Sequence, residues 1–225
     1  MKREVSLEEI SDGKLYGLND LVKADCGDCK GCSACCYQMG NSVILDPFDI
    51  YRMTKNLHCT FEELLNGKVE LNIVDCIILP NLKMTGEKER CIFLNEEERC
   101  SIHAFRPSVC RLFPLGRYYE ENGFRYFLQV HECKKDNRTK VKVCKWIDTP
   151  NLKENEKFIW NWHCFLKEAE TCIEKSTDEN LMKNLDLFIL KTFYIKPYEQ
   201  QCDFYEQFQD RLQEAKGFLK IIQCS

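Results

Sequence analysis

The sequence predicts an α+β protein: a small cysteine-rich module of short strands and helices over residues 1–150, then an all-helical module over 151–225. Three observations lead to this. Residues 26–36 read CGDCKGCSACC, five thiols in eleven residues. Between residues 41 and 147, short apolar runs are broken by Gly, Pro, Asn and Asp, the punctuation of short strands and helices. Beyond Pro150, apolar residues fall at 158, 162, 165, 169, 172 and 173, which is helical spacing.

In chain order, SLEEI starts a short helix capped by Ser6, with Glu9 at the third position. The thiol cluster follows, with Gly27 and Gly31 relieving backbone strain where several side chains converge. NSVILD reads as a strand. Asp46 and Pro47 then start a helix, DPFDIYRMTKNL, and Thr60 with Glu63 starts a second, TFEELLNG. VELNIVDCIILP reads as one or two strands, CIFL and CSIH as the arms of a hairpin, and FRPSVCRLFPL as irregular or short-helical between its prolines. GFRYFLQVHEC and KVKVCKWI are the last strand patterns. Three helices follow, starting near Asn155, Thr177 and Tyr198. The third carries an apolar stripe that includes Cys202, Tyr205, Phe208, Leu212 and Leu219.

Composition narrows the function. Hydrophobic residues make up 44% of the chain, enough for a sizeable core, and the formal net charge is only -4. No basic field invites nucleic acid. The longest apolar stretch of the C-terminal half, LDLFILKTFYI, has 11 residues and a lysine, too short and polar to span a bilayer. The start, MKREVSLEEI, has no apolar stretch behind its basic residues, so the expectation is a cytoplasmic protein without a membrane segment.

There are sixteen cysteines in 225 residues. In a reducing compartment that usage points to metal ligands rather than disulfides. Cys29, Cys32 and Cys35 are spaced C-x2-C-x2-C, and Cys36 follows at once. A C-x2-C step lets two thiolates reach one metal from a single turn of backbone, and the doubled step is similar to the start of an iron–sulfur run. In an extended backbone, Cys35 and Cys36 point to opposite sides, so they are expected to play different roles. A second group is Cys91, Cys100, Cys110 and Cys133. Eight thiols suit two tetrahedral centres, two iron–sulfur clusters, or one cluster with structural ligands. Cys26 extends the C-x2-C series backwards. Cys59, Cys76 and Cys202 read as core residues, as do Cys164 and Cys172 within helical patterns. Arg106 and Arg111 flank Cys110 and can offset thiolate charge.

These segments resemble the YkgJ-type cysteine-cluster family, regarded as zinc- or iron-chelating domains. The resemblance rests on the C-x2-C-x2-C-C cluster, on CIFL from Cys91, on CSIH from Cys100, and on Arg106, Pro107, Cys110, Arg111, Phe113 and Pro114, with Cys133 as the late cysteine. It covers about residues 26–135. Ile92 stands where the family has proline, and His103 where it has tyrosine. The resemblance implies that the 1–150 module is a metal-binding domain, holding zinc or an iron–sulfur cluster through Cys29, Cys32, Cys35, Cys36, Cys91, Cys100, Cys110 and Cys133 within the matched stretch. Flagellin lysine N-methylases contain a similar module, which makes an iron–sulfur-dependent protein-modifying enzyme one alternative. A redox or metal-handling adaptor is another, with a protein partner met through the C-terminal helices, where WNWH at 160–163 supplies aromatics. No G-x-G-x-x-G, Walker lysine or H-E-x-x-H motif is present.

Overall fold

A computed structural model describes residues 6–27, 32–135, 137–176 and 178–223. Cys29 and Cys224 lie outside the described residues. In chain order the elements are α1 (Leu7–Ile10), β1 (Leu21–Asp25), α2 (Pro47–Leu57), α3 (Phe61–Leu65), β2 (Val69–Val74), β3 (Ile77–Leu82), β4 (Met84–Thr85) and β5 (Arg90–Cys91). They continue as α4 (Ser108–Leu112), β6 (Leu115–Glu120), β7 (Gly123–Leu128), β8 (Thr139–Lys142), α5 (Val143–Ile147), α6 (Leu152–Lys175), α7 (Glu179–Leu190) and α8 (Phe204–Gln223). The protein is mixed α+β, and its sheets are two-stranded and antiparallel. No helix among the described residues is long and apolar enough to cross a membrane.

The chain divides into two compact units, each assembled from separated stretches. One comprises 44–82 with 153–225, the other 2–43 with 83–152. Residues 44–82 cluster with the C-terminal helices, and the cysteine-rich segments cluster with one another.

In the helical unit, capping boxes start α2 at Asp46 and α3 at Thr60. Each side chain takes up an otherwise unsatisfied N–H of the first turn. Phe48 of α2 packs near Phe158, Phe204 and Tyr205, and Trp162 packs edge-on to Phe193. Trp162 is buried, so this residue of the WNWH run belongs to the core. Arg211, also buried, donates to the carbonyls of Thr192, Lys196 and Pro197 and lies over the Tyr198 ring. It satisfies carbonyls freed where α7 gives way to a π turn, Lys191–Ile195.

Several local expectations are corrected. NSVILD contributes a single bridge, Ile44 to Asn81, instead of a strand, because Asp46 is already committed to capping α2. KVKVCKWI is a strand only as far as Lys142, and Cys144 lies in α5. The third helix starts at Phe204 rather than Tyr198, since the Asp203 carboxylate caps it through the N–H groups of Tyr205 and Glu206. Cys202 thereby falls in the preceding turn, exposed and bonded to Glu199. Cys76 is exposed in the β2–β3 turn at φ 68°, and Cys59 is half-buried.

The second unit has its own apolar core. Val22 and Ala24 of β1, Leu112 of α4, Leu115, Tyr126 and Leu128 of the β6–β7 hairpin, and Val143 and Ile147 of α5 pack together. Strand β1 pairs with β8 in antiparallel register, Leu21 opposite Lys142 and Asp25 opposite Thr139.

In α6, burial pushes the His163 imidazole down to about 4 from 6.5, with Lys167 adding to the effect and Glu170 opposing it. The unfolded chain therefore takes up this proton first as pH falls. The stability linked to neutral His163 is complete above about pH 6.5 and is lost progressively toward pH 4. The stability advantage of the wild type over His163→Gln, from urea unfolding, is predicted to shrink between pH 7 and pH 4.5. An advantage independent of pH would contradict this.

Candidate thiolate metal centre

The cysteine cluster folds as a tight turn. Ala34–Cys36 form one turn of 3-10 helix, closed by the Cys36 N–H donating to the Ser33 carbonyl at 2.8 Å. The extended backbone expected for Cys35 and Cys36 is thus corrected. In a helical turn adjacent side chains no longer oppose one another, and the two sulfurs here hydrogen-bond to each other.

The chain leaving this turn runs antiparallel to the edge that carries Cys91. Tyr37 bridges to Arg90, and the Gln38 N–H donates to the Glu89 carbonyl at 2.9 Å. On its other side, Cys91 pairs with Met84 of β4. The chain then reverses over 95–99, with Leu94 opposite Cys100 and the Ser101 N–H donating to the Phe93 carbonyl. The predicted CIFL–CSIH hairpin is present in this compressed form. Asn95 holds the reversal by accepting from the N–H groups of Glu97 and Arg99.

Cys110 sits in α4, whose entry is set by Pro107. Buried Arg111 fastens the surrounding chain by donating to the carbonyls of Arg106 and Asp148. Arg106 donates to the His103 carbonyl and stands against the His103 ring. Its charge reaches both Cys35 and Cys100.

These segments bring Cys35, Cys36, Cys91, Cys100 and Cys110 into electrostatic contact. Cys35 senses Cys36 directly, and its charge is felt at Cys91, Cys100 and Cys133. Cys36 senses Cys91 and Cys110. The hydrogen bond from Cys36 brings the Cys35 thiol down to about 7, against the opposing effect of burial. The same bond, with burial, pushes Cys36 well up. Burial also raises Cys91, Cys100 and Cys133. Beside this group a pocket is lined by Cys26, Cys32, Cys35 and Cys133, with Phe113 and Lys134 in its wall. Among the described residues, no three Cys, His, Asp or Glu side chains already stand at metal-ligand spacing.

Sequence reasoning missed the brace across this site. Glu98, at the tip of the 95–99 reversal, accepts from Ser33 Oγ at 2.9 Å and Tyr37 OH at 2.7 Å. Those two donors hold its carboxyl below the usual range. Glu98 therefore ties the hairpin of Cys91 and Cys100 to the turn of Cys35 and Cys36. Within the run NEEER, nothing in the sequence distinguishes it from Glu96 or Glu97.

A model of the CxxCxxCC family, described as "Putative zinc- or iron-chelating domain", matches residues 28–172. The chain belongs to this family. No curated protein matches significantly, and no solved structure does.

The donor set suits the metals in that description. The approaching side chains offer sulfur, and the cysteines of the site form no disulfide among the described residues. Thiolates are soft donors that select zinc, iron–sulfur clusters or copper(I) over magnesium or calcium. Groups that only orient metal ligands typically change affinity 10- to 100-fold. Zinc affinity in Glu98→Ala is accordingly predicted to fall about tenfold, measured by chelator competition, with Glu97→Ala unchanged. Equal affinities in the two variants would contradict the bracing role of Glu98.

Proposed function

We propose that the protein holds zinc or an iron–sulfur cluster through eight cysteine thiolates, in two neighbouring centres that fasten the cysteine-rich unit into its fold. Cys36, Cys91, Cys100 and Cys110 form the first centre. Cys32 and Cys133 belong to the second, to which the C-x2-C step from Cys32 assigns Cys29, and Cys35 stands between the two. The observation that carries this reading is the electrostatic contact among Cys35, Cys36, Cys91, Cys100 and Cys110, thiols from separate segments of the chain.

The metal's part is to draw these sulfurs together and neutralise them. Its binding free energy adds to the folding free energy of these segments. Cys91 and Cys100, raised by burial, hold their protons near neutral pH without metal. Binding must displace those protons, so affinity weakens as pH falls. Arg106, facing Cys35 and Cys100, offsets the negative charge that remains when four thiolates surround a divalent ion. Ligation by four thiolates leaves no open position, which favours a structural role for a zinc ion.

Anaerobic purification, elemental analysis and a visible spectrum test this reading. Colourless protein with zinc supports structural centres. Brown protein with iron and acid-labile sulfide supports clusters, and with them the protein-modifying or redox-adaptor roles. Protein without either metal contradicts the proposal. Chelation is further predicted to raise hydrogen exchange over residues 83–113 while the core around Val22, Tyr126 and Val143 stays protected. Exchange that is unchanged over 83–113 would show that the metal does not fasten this unit.

A further inference from the structure

The family match begins at residue 28, so Cys26 lies outside it. It also falls outside the eight thiols assigned above. Its position follows from strand pairing. Strand β1 ends at Asp25 opposite Thr139, the first residue of β8. Thr139 Oγ1 donates to Asp25 Oδ2 at 3.1 Å, and the Gly27 N–H donates to Asp25 Oδ1 at 2.9 Å. Antiparallel pairing places the end of β1 and the start of β8 at the same end of the ribbon. Cys26 follows β1 directly, and Cys133 lies on the chain leading into β8, so the two are delivered to one place.

They meet there. Cys26 and Cys133 line the same pocket as Cys32 and Cys35, and the charge of Cys26 is felt at Cys133. The surroundings are suited to an anionic centre. Lys134 and Lys135 outnumber the one lining carboxylate, Glu132, and Arg138 lies within charge range of Cys133. Two buried guanidinium nitrogens of Arg138, Nε and Nη1, have no hydrogen-bond partner among the described residues. Buried donors are normally satisfied, and a thiolate sulfur is an acceptor these two could use.

We infer that Cys26 is a ligand of the second centre, joining Cys32 and Cys133 around a thiophilic divalent cation such as zinc or a thiolate-bound iron. This rests on the thiolate-centre reading proposed above. Ligation forms one metal–sulfur bond at Cys26 and releases the thiol proton to solvent. Cys35, shared between the two groups, is then left to link the centres.

Two measurements on the full-length protein test the assignment. The first is a brief N-ethylmaleimide pulse with and without bound zinc, read by peptide mass spectrometry. Zinc is expected to slow modification of Cys26 and Cys133 at least tenfold, while exposed Cys76 and Cys202 react equally in both states. The second is loading with cobalt(II). Cys26→Ser is expected to weaken the sulfur-to-cobalt charge-transfer band and to release one metal equivalent to a chelator at least tenfold faster than wild type. Cys59→Ser should match wild type in both respects. Protection of Cys133 without protection of Cys26, or an unaltered cobalt spectrum in Cys26→Ser, overturns the Cys26 assignment alone. A wild-type protein that binds neither zinc nor cobalt overturns the thiolate-centre reading and this inference with it.

Discussion

Thiolates gathered at one place repel one another, and the architecture of the cysteine-rich unit is organised around that constraint. Without a cation, the cheapest solution is to keep the thiols protonated, and burial does this at Cys91, Cys100 and Cys133. Cys36 solves it differently by donating its proton toward Cys35. Arg106 supplies fixed positive charge to Cys35 and Cys100. A bound metal would replace all three devices with one strong interaction. The unit accordingly combines two sources of stability. An apolar core joins β1, α4, α5 and the β6–β7 hairpin, while hydrogen bonds through Tyr37, Glu98 and Arg111 brace the segments that carry Cys35, Cys36, Cys91, Cys100 and Cys110.

Those braces set which sulfurs stand near one another. The short ladder through Tyr37 and Arg90 sets the Cys35–Cys36 turn beside Cys91. Glu98 ties the same turn to the loop that ends at Cys100. Arg111 fixes the chain around Cys110 through the carbonyls of Arg106 and Asp148. The first two braces join the Cys35–Cys36 turn to the segments of Cys91 and Cys100, and the third acts around Cys110, so the thiols reach the group from separate segments. This is why intervals of eight, nine and twenty-two residues among the later four cysteines are compatible with convergence.

Much of this was legible in the sequence, for identifiable reasons. The caps at Ser6, Asp46 and Thr60 are local chemistry, and local chemistry can be read from a few residues. The cysteine segments could be recognised because specific residues such as Arg106, Pro107 and Arg111 accompany the thiols. What escaped reading depends on contacts distant in sequence or on competition between local signals. Residues 44–82 group with the C-terminal helices through packing such as Phe48 on Phe158 and Phe204, which no local pattern announces. Cys202 matched a helical stripe, but Asp203 is the stronger cap and sets the helix start after it. Cys35 and Cys36 looked extended because the turn that holds them is closed by a backbone bond, Cys36 to Ser33. Glu98 was hidden among three consecutive glutamates.

The central claim is that thiolates from separate segments ligate the same metal, and X-ray absorption at the metal edge tests it most directly. For zinc-loaded protein, four sulfur scatterers at about 2.3 Å are predicted in the first shell. A shell dominated by nitrogen or oxygen near 2.0–2.1 Å would contradict the account.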